Sequence, residues 1–224
     1  MDDRRRAEIE EKAHELLALI WERQGELWPL GVPALQRLDP AAGAKVLGIA
    51  FYDNVPLMAL DNARSQLAGI IDRQAKKIAV SCVFDSVTRR FTAAHELGHY
   101  LLHTGKTMHR DIAPPAMGQR RDVYETEANH FAACFLMPRK LIHKHFRERF
   151  GSETPFVFTD ASAFFLRPSN PHSLLYADLR EQTKALATAT TYAGQHFVSL
   201  AEEFHVSPSA MAIRIEELGL VKYE

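Results

Sequence analysis

Residues 89–103 read RRFTAAHELGHYLLH and hold three of the chain's eleven histidines. His95, His99 and His103 recur at every fourth position, and Glu96 follows the first of them. On a helix, residues four apart stand one turn apart and only about 40° round the axis. The imidazoles of His95 and His99 can therefore reach one ion. Glu96, about 100° round from His95, stands beside that ion rather than on it. This is the H-E-x-x-H arrangement, in which the carboxylate suits a base acting on a water. The plainer reading is a helix with two satisfied core histidines. Context counts against it: the motif follows a predicted sheet, lies on a predicted helix, and is followed by a second helix that opens with acidic residues.

Such a site needs a third protein ligand and one open position. His103 fails on geometry, because it lies about 12 Å along the axis from His95 and metal–nitrogen bonds are only about 2 Å. It reads as a capping group, or as one that supports the ligands from behind. Residues 125–138, ETEANHFAACFLMP, offer Glu125 and Glu127. These point about 200° apart on a helix, so only one faces the ion. With Ala128, Phe131, Ala132 and Phe135 as the apolar stripe, Glu125 lies about 60° from its centre and Glu127 about 100° to the other side. Glu125 is preferred, and Glu127 is expected to be a solvated surface carboxylate. Asn129, one turn after Glu125, can hydrogen-bond a neighbouring ligand from behind.

Working outward, Ile9, Ala13, Leu16, Leu17 and Ile20 form one face of a helix over about residues 4–24. Asp39 can cap a helix that Pro40 begins and Gly48 ends. A strand through 49–52 should follow, then QLAGIID and KKIAVSCV as two strands joined by the turn at 72–76. Asp85 or Ser86 can cap the H-E-x-x-H helix. The stretch 104–121 reads as a loop, since Pro114, Pro115 and its glycines exclude a continuous helix. It carries Lys106, Arg110, Arg120 and Arg121 against Asp111, and reads first as a solvated loop, with the border of a cleft as the alternative. Pro138 opens a further short helix, with Leu141, His145, Phe146 and Phe150 as its inner stripe. Residues 151–171 are aromatic and broken by prolines, and read as a connector. Two short helices around the turn 205–207 close the chain with helix-turn-helix spacing. The expected fold is α+β: a small, mostly antiparallel sheet packed with the motif helix and a second ligand helix. The expected domains are 1–150, the connector 151–171, and a C-terminal helical region 172–224.

The chain has 224 residues, 46% of them hydrophobic, enough for a packed core. Lys plus Arg number 27 against 28 for Asp plus Glu, so no global charge draws it to nucleic acid or an anionic membrane. Locally, residues 196–224 carry Arg214 and Lys222 against five glutamates, a sum of −3 that argues against a DNA-reading helix. Residues 139–149 hold five positive side chains and one Glu, read as an amphipathic helix with solvated charges. No stretch approaches the roughly 20 apolar residues of a membrane span. The N-terminus has no signal-peptide core. Cys82 and Cys134 suit a reducing compartment, with Cys134 read as a small buried thiol. A cytoplasmic location is expected.

The two quoted stretches resemble the ImmA/IrrE family of zinc metallo-endopeptidases. The family shows an H-E-L-G-H helix followed by E-x-x-A-N-x-F-A-A-x-L-L-M-P, filled here by Glu125, Ala128, Asn129, Phe131, Ala132, Ala133, Leu136, Met137 and Pro138. Phe135 stands where that pattern has a Leu. The likeness runs over about residues 40–145 and reaches the closing helices. It implies a zincin-like domain with zinc on His95, His99 and Glu125, and Glu96 as the catalytic base. It also implies a protein substrate, a helix-turn-helix repressor whose cleavage releases stress-response or mobile-element genes. The oxyanion donor is left open among Tyr100, Tyr124, His109 and His130. The rival expectations are a module that grips a repressor or antitoxin without cutting it, and a DNA-binding regulator with a structural metal.

Overall fold

The computed structural model describes residues 1–57, 67–104, 108–112, 122–151 and 155–222, with the backbone alone at 108–112. The chain is α+β and divides into two compact units, Met1–Leu136 and Met137–Glu224.

The first unit opens with α1 (Asp3–Glu22), capped by the Asp2 carboxylate, which accepts from the Arg5 amide. Ile9, Ala13, Leu16 and Ile20 are its buried stripe. Fully burying an Ile or Leu contributes about 1.5–3 kcal/mol, and the Arg, Glu and Lys of the outer face are themselves good helix formers. After the short α2 (Gln24–Leu27) and a 3-10 turn at Ala34–Arg37 comes α3 (Pro40–Val46). Its punctuation follows the sequence: Asp39 caps by accepting from the Ala41 amide, and Gly48 takes the left-handed conformation at φ 69° just past the end.

Three strands follow: β1 (Ala50–Val55), β2 (Leu67–Asp72) and β3 (Lys77–Ser81). The tight turn between β2 and β3 is closed by the Asp72 carboxylate, which accepts from the Ala75 amide. Asp85, not Ser86, caps α4 (Ser86–Leu102) by accepting from the Thr88 amide. The stretch expected to be only a loop contains a strand, β4 (Met108–Ile112), before α5 (Val123–Leu136). Its pairing rather than its composition makes it a strand: MHRDI lacks an apolar alternation, and edge strands are often polar. The sheet order is β1-β3-β2-β4, so β4 is an edge. β2 is antiparallel to β3 and to β4, while β1 runs parallel to β3. The sheet is thus mixed, with antiparallel pairings in the majority.

Leu67, Gly69 and Ile71 share one face of β2, and Ile78 and Val80 continue it on β3. That face packs on α4. α4 also packs on α3 and α5, and is buried continuously from Thr92 to His99. α5 is packed by α4 and by α1.

The second unit starts with α6 (Arg139–Phe150), whose buried residues are Ile142, Phe146, Arg149 and Phe150. Leu141 and His145, expected inside, are half-buried, and Arg149, expected in solvent, is buried. The stretch expected to be a connector carries β5 (Phe156–Val157) and α7 (Asp160–Leu166). Its aromatic character has a physical reason: Phe156 is buried, 5.8 Å from the Phe150 ring and 6.3 Å from Phe146. α8 (Pro171–Leu175), α9 (Leu179–Thr188) and the hairpin β6 (Thr191–Tyr192) and β7 (Gln195–His196) follow. α10 (Leu200–Glu203) and α11 (Pro208–Glu217) flank the turn where His205 takes a positive φ, and β8 (Val221–Lys222) pairs parallel with β5.

Candidate metal centre

Two helices supply the cluster. On α4, His95 and His99 project from successive turns with their Nε2 atoms 2.9 Å apart. From the first turn of α5, the Glu125 carboxylate lies 3.3 Å from His95 Nε2 and 3.4 Å from His99 Nε2. The three side chains place one ligand atom each within 4.8 Å of one another. A tetrahedral ion bonded at about 2.0–2.1 Å holds its ligand atoms about 3.3 Å apart. The two histidine–carboxylate separations match that spacing, and the two nitrogens need only a small opening. Both histidines are buried, while Glu125 is half-buried and forms the open side of the cluster. The donor set, two imidazoles and one carboxylate, suits a borderline divalent cation such as zinc.

The close approach of α4 and α5 has a specific cause. A Cβ at Gly98 would lie 3.1 Å from the Ala128 carbonyl oxygen and 3.1 Å from Phe131 Cβ. A larger residue there would require its α5 neighbours to give by a few tenths of an ångström. Glu96 has a comparable requirement on its other flank. It is wholly buried, and a Cβ at Gly69 of β2 would sit 2.6 Å from Glu96 Oε1 and 2.8 Å from Thr92 Cγ2. Gly69 therefore makes the room that Glu96 occupies. A lone glycine inside the strand pattern LAGIID is a signal of such a close approach, and it could have been read from sequence.

The remaining ring nitrogens are engaged away from the cluster. His95 Nδ1 lies 3.0 Å from Asn129 Oδ1. His99 Nδ1 lies 2.9 Å from His103 Nδ1, and His103 Nε2 lies 3.0 Å from Glu127 Oε2. Glu127 in turn accepts from Arg5, with Nε at 2.9 Å from Oε1 and Nη2 at 2.7 Å from Oε2. The Arg5 guanidinium, ahead of His103, holds the Glu127 carboxyl at about 2, well below the usual carboxylate range. Glu127 is thus buried and paired, not solvated as expected. The apolar stripe alone puts Glu127 on the outside, but α5 is covered on two sides, by α4 and by α1. The sequence offers Glu127 only as a rival ligand and gives no sign of Arg5, since no local pattern links two residues 122 apart.

His103 is also the C-terminal cap of α4, its amide donating to the His99 carbonyl. Arg73 donates to the same carbonyl, and its guanidinium lies 4.9 Å from the Tyr100 ring centroid. Of the residues considered for oxyanion stabilisation, Tyr100 is thus half-buried beside Arg73. Tyr124 is exposed, with its ring edge-on to His103 at 4.8 Å. His130 is buried with Nε2 3.6 Å from Cys134 Sγ. The side chain of His109, the Lys106–Arg121 charges and the Pro114-Pro115 pair lie outside the described residues.

A mixed sheet backed by a buried H-E-x-x-H helix, with a glutamate reaching in from the next helix, is an arrangement suited to metal-assisted hydrolysis. Residues 54–165 match the model of the Peptidase_M78 family, described as the IrrE N-terminal-like domain, and this chain belongs to that family of metallopeptidases. No curated protein matches the chain. Among the described residues, no helix is long and apolar enough to cross a membrane.

Proposed function

We propose that the chain is a zinc-dependent endopeptidase whose substrate is a helix-turn-helix transcriptional repressor. Its cleavage would release stress-response or mobile-element genes. The observation that carries the hydrolytic part is the convergence of His95, His99 and Glu125 beside a fully buried Glu96. His95, His99 and Glu125 hold the ion. Zinc bound there supplies Lewis acidity toward water and the scissile carbonyl. Glu96 takes the proton of the attacking water and returns it to the leaving amine. Asn129 and His103 occupy the Nδ1 atoms of the two histidines, which leaves both Nε2 atoms to face the ion. An extended substrate would add as a strand at the β4 edge, with backbone hydrogen bonds supplying register. Both cysteines are free thiols, which suits the cytoplasm as the working compartment.

Direct DNA binding has little support in the second unit. Arg149 and Arg214, two of its prominent cations, are buried. Arg149 donates to the Val198 carbonyl and to Glu203, and Arg214 to the Met137 carbonyl and Glu217. Groups held this way do not meet phosphates.

The test incubates the zinc-loaded chain with the repressor encoded beside its gene and compares repressor length for wild type and Glu96→Gln. Cleavage by wild type alone is expected, with the variant down by about 100- to 10,000-fold and still loaded with zinc. Full cleavage by Glu96→Gln overturns the mechanism. An intact repressor held tightly by wild type selects a gripping module instead.

A further inference from the structure

We infer that the candidate metal centre does not end at its ligands but continues as a polarised hydrogen-bonded line, His99–His103–Glu127–Arg5. That line fixes which nitrogen His99 presents, and it is anchored on the N-terminal helix. This rests on the reading that His95, His99 and Glu125 hold a divalent cation. The directions of the two outer links follow from the outermost member inward. A guanidinium only donates, so both oxygens of Glu127 accept from Arg5, at 2.9 and 2.7 Å. Glu127 Oε2 has His103 Nε2 at 3.0 Å, and a carboxylate acceptor requires that nitrogen to carry the hydrogen. For His99 to bind an ion through Nε2, its Nδ1 is the donor to His103 Nδ1, 2.9 Å away. His99 Nε2, 2.9 Å from His95 Nε2 and 3.4 Å from the Glu125 carboxylate, is the nitrogen turned to the cluster.

The two histidines are thus supported unequally. His95 Nδ1 meets a neutral amide oxygen, Asn129 Oδ1 at 3.0 Å. His99 is backed, through one imidazole, by a carboxylate, and negative charge behind an imidazole strengthens it as a ligand. The line is expensive as mere packing. His103 and Glu127 are both buried, and well-packed apolar side chains would fill the same space at no desolvation cost. Arg5 lies on α1, outside the residues 54–165 that match the family model, so the support of this ligand reaches beyond the shared segment. Residues 5, 103 and 127 are positioning residues: they act on the ligand set through His99.

The experiment measures zinc affinity of the full-length chain by competition with a chromophoric chelator, and the visible absorption of the cobalt-loaded chain. Glu127→Gln and His103→Phe are each expected to weaken zinc by about 10- to 100-fold and to alter the cobalt spectrum. The double variant should weaken it no further than the worse single, because both cut the same line. Arg5→Met, at the partly exposed end, should move affinity in the same direction and keeps the test decisive should His103→Phe not fold. Leu16→Ala is the packing control: it loosens α1 without touching the line and should leave zinc affinity within about twofold. Zinc affinity and cobalt spectrum unchanged in folded Glu127→Gln and Arg5→Met overturn the inference, and so does a Leu16→Ala loss equal to theirs. Wild-type chain that takes up no zinc overturns the ligand assignment itself, which the variants alone would not.

Discussion

Both units bury charge, but they aim it differently. In the second unit, Arg149 Nη2 donates to the Val198 carbonyl at 2.8 Å and to Glu203 at 2.5 Å, and Arg149 Nη1 donates to the His145 carbonyl at 2.9 Å. Its cation ties α6 to the segment that enters α10 and stacks near Phe197. In the first unit, the buried polar groups of α4 and α5 meet one another in series, and two ring nitrogens and a carboxylate converge on a common point. Burial of charge is therefore no sign of chemistry by itself. Convergence of acceptors is, because acceptors facing one another are stabilised only by a shared proton or a shared cation.

That contrast can be broken most directly at the ligands. His99→Ala should abolish retention of one zinc per chain, measured by metal analysis after gel filtration, while leaving the second unit's denaturation unchanged. Retained stoichiometric zinc would dissolve the distinction. The next largest effect is expected at Gly69→Ala. The new methyl meets Glu96 Oε1 at 2.6 Å, so the carboxylate or the strand must move. Peptide hydrolysis should fall about 100-fold with zinc content intact, and urea denaturation should show a cost of roughly 1–3 kcal/mol. Arg149→Met is the reciprocal experiment in the other unit. It should destabilise by roughly 2–3 kcal/mol in chemical denaturation and leave zinc affinity within about twofold.

The smallest effect concerns the Arg5–Glu127 pair. Its folded carboxyl titrates at about 2, below the 4.5 of an unpaired Glu. A depressed folded value means the stabilisation is complete above the unfolded pKa and drains away as the pH falls toward the folded one. The stability gap between metal-free wild type and Glu127→Gln should thus be widest above about pH 5 and shrink steadily on acidification toward pH 2. A gap independent of pH, in urea midpoints taken across that window, would remove the ion pair as its source.

Much of the first unit was legible from local chemistry. The Asp39–Pro40–Gly48 punctuation of α3, the α1 stripe and the four-residue histidine spacing each depend on neighbours within a few turns. What sequence reading missed depends on partners far along the chain. By the apolar stripe of α5 Glu127 reads as a surface group, whereas α1 packs on that helix and brings Arg5 to it. β4 was hidden because an edge strand can be polar and short, so composition does not betray it. The buried Arg149 was hidden because its carbonyl partner at Val198 is 49 residues away. Gly69 is the exception: its signal is local, a lone glycine in a strand pattern where the Glu96 side chain needs the room.

The position of Arg5 bears on how such a protein is cut for study. An expression fragment trimmed to the similarity boundaries, residues 54–165, would keep all three ligands, Glu96 and Asn129. It would also strip α1 from the back of α5, expose the Glu127 oxygens to water, and end within the second unit before α11. Weak metal uptake by that fragment would therefore not by itself indict the ligand set.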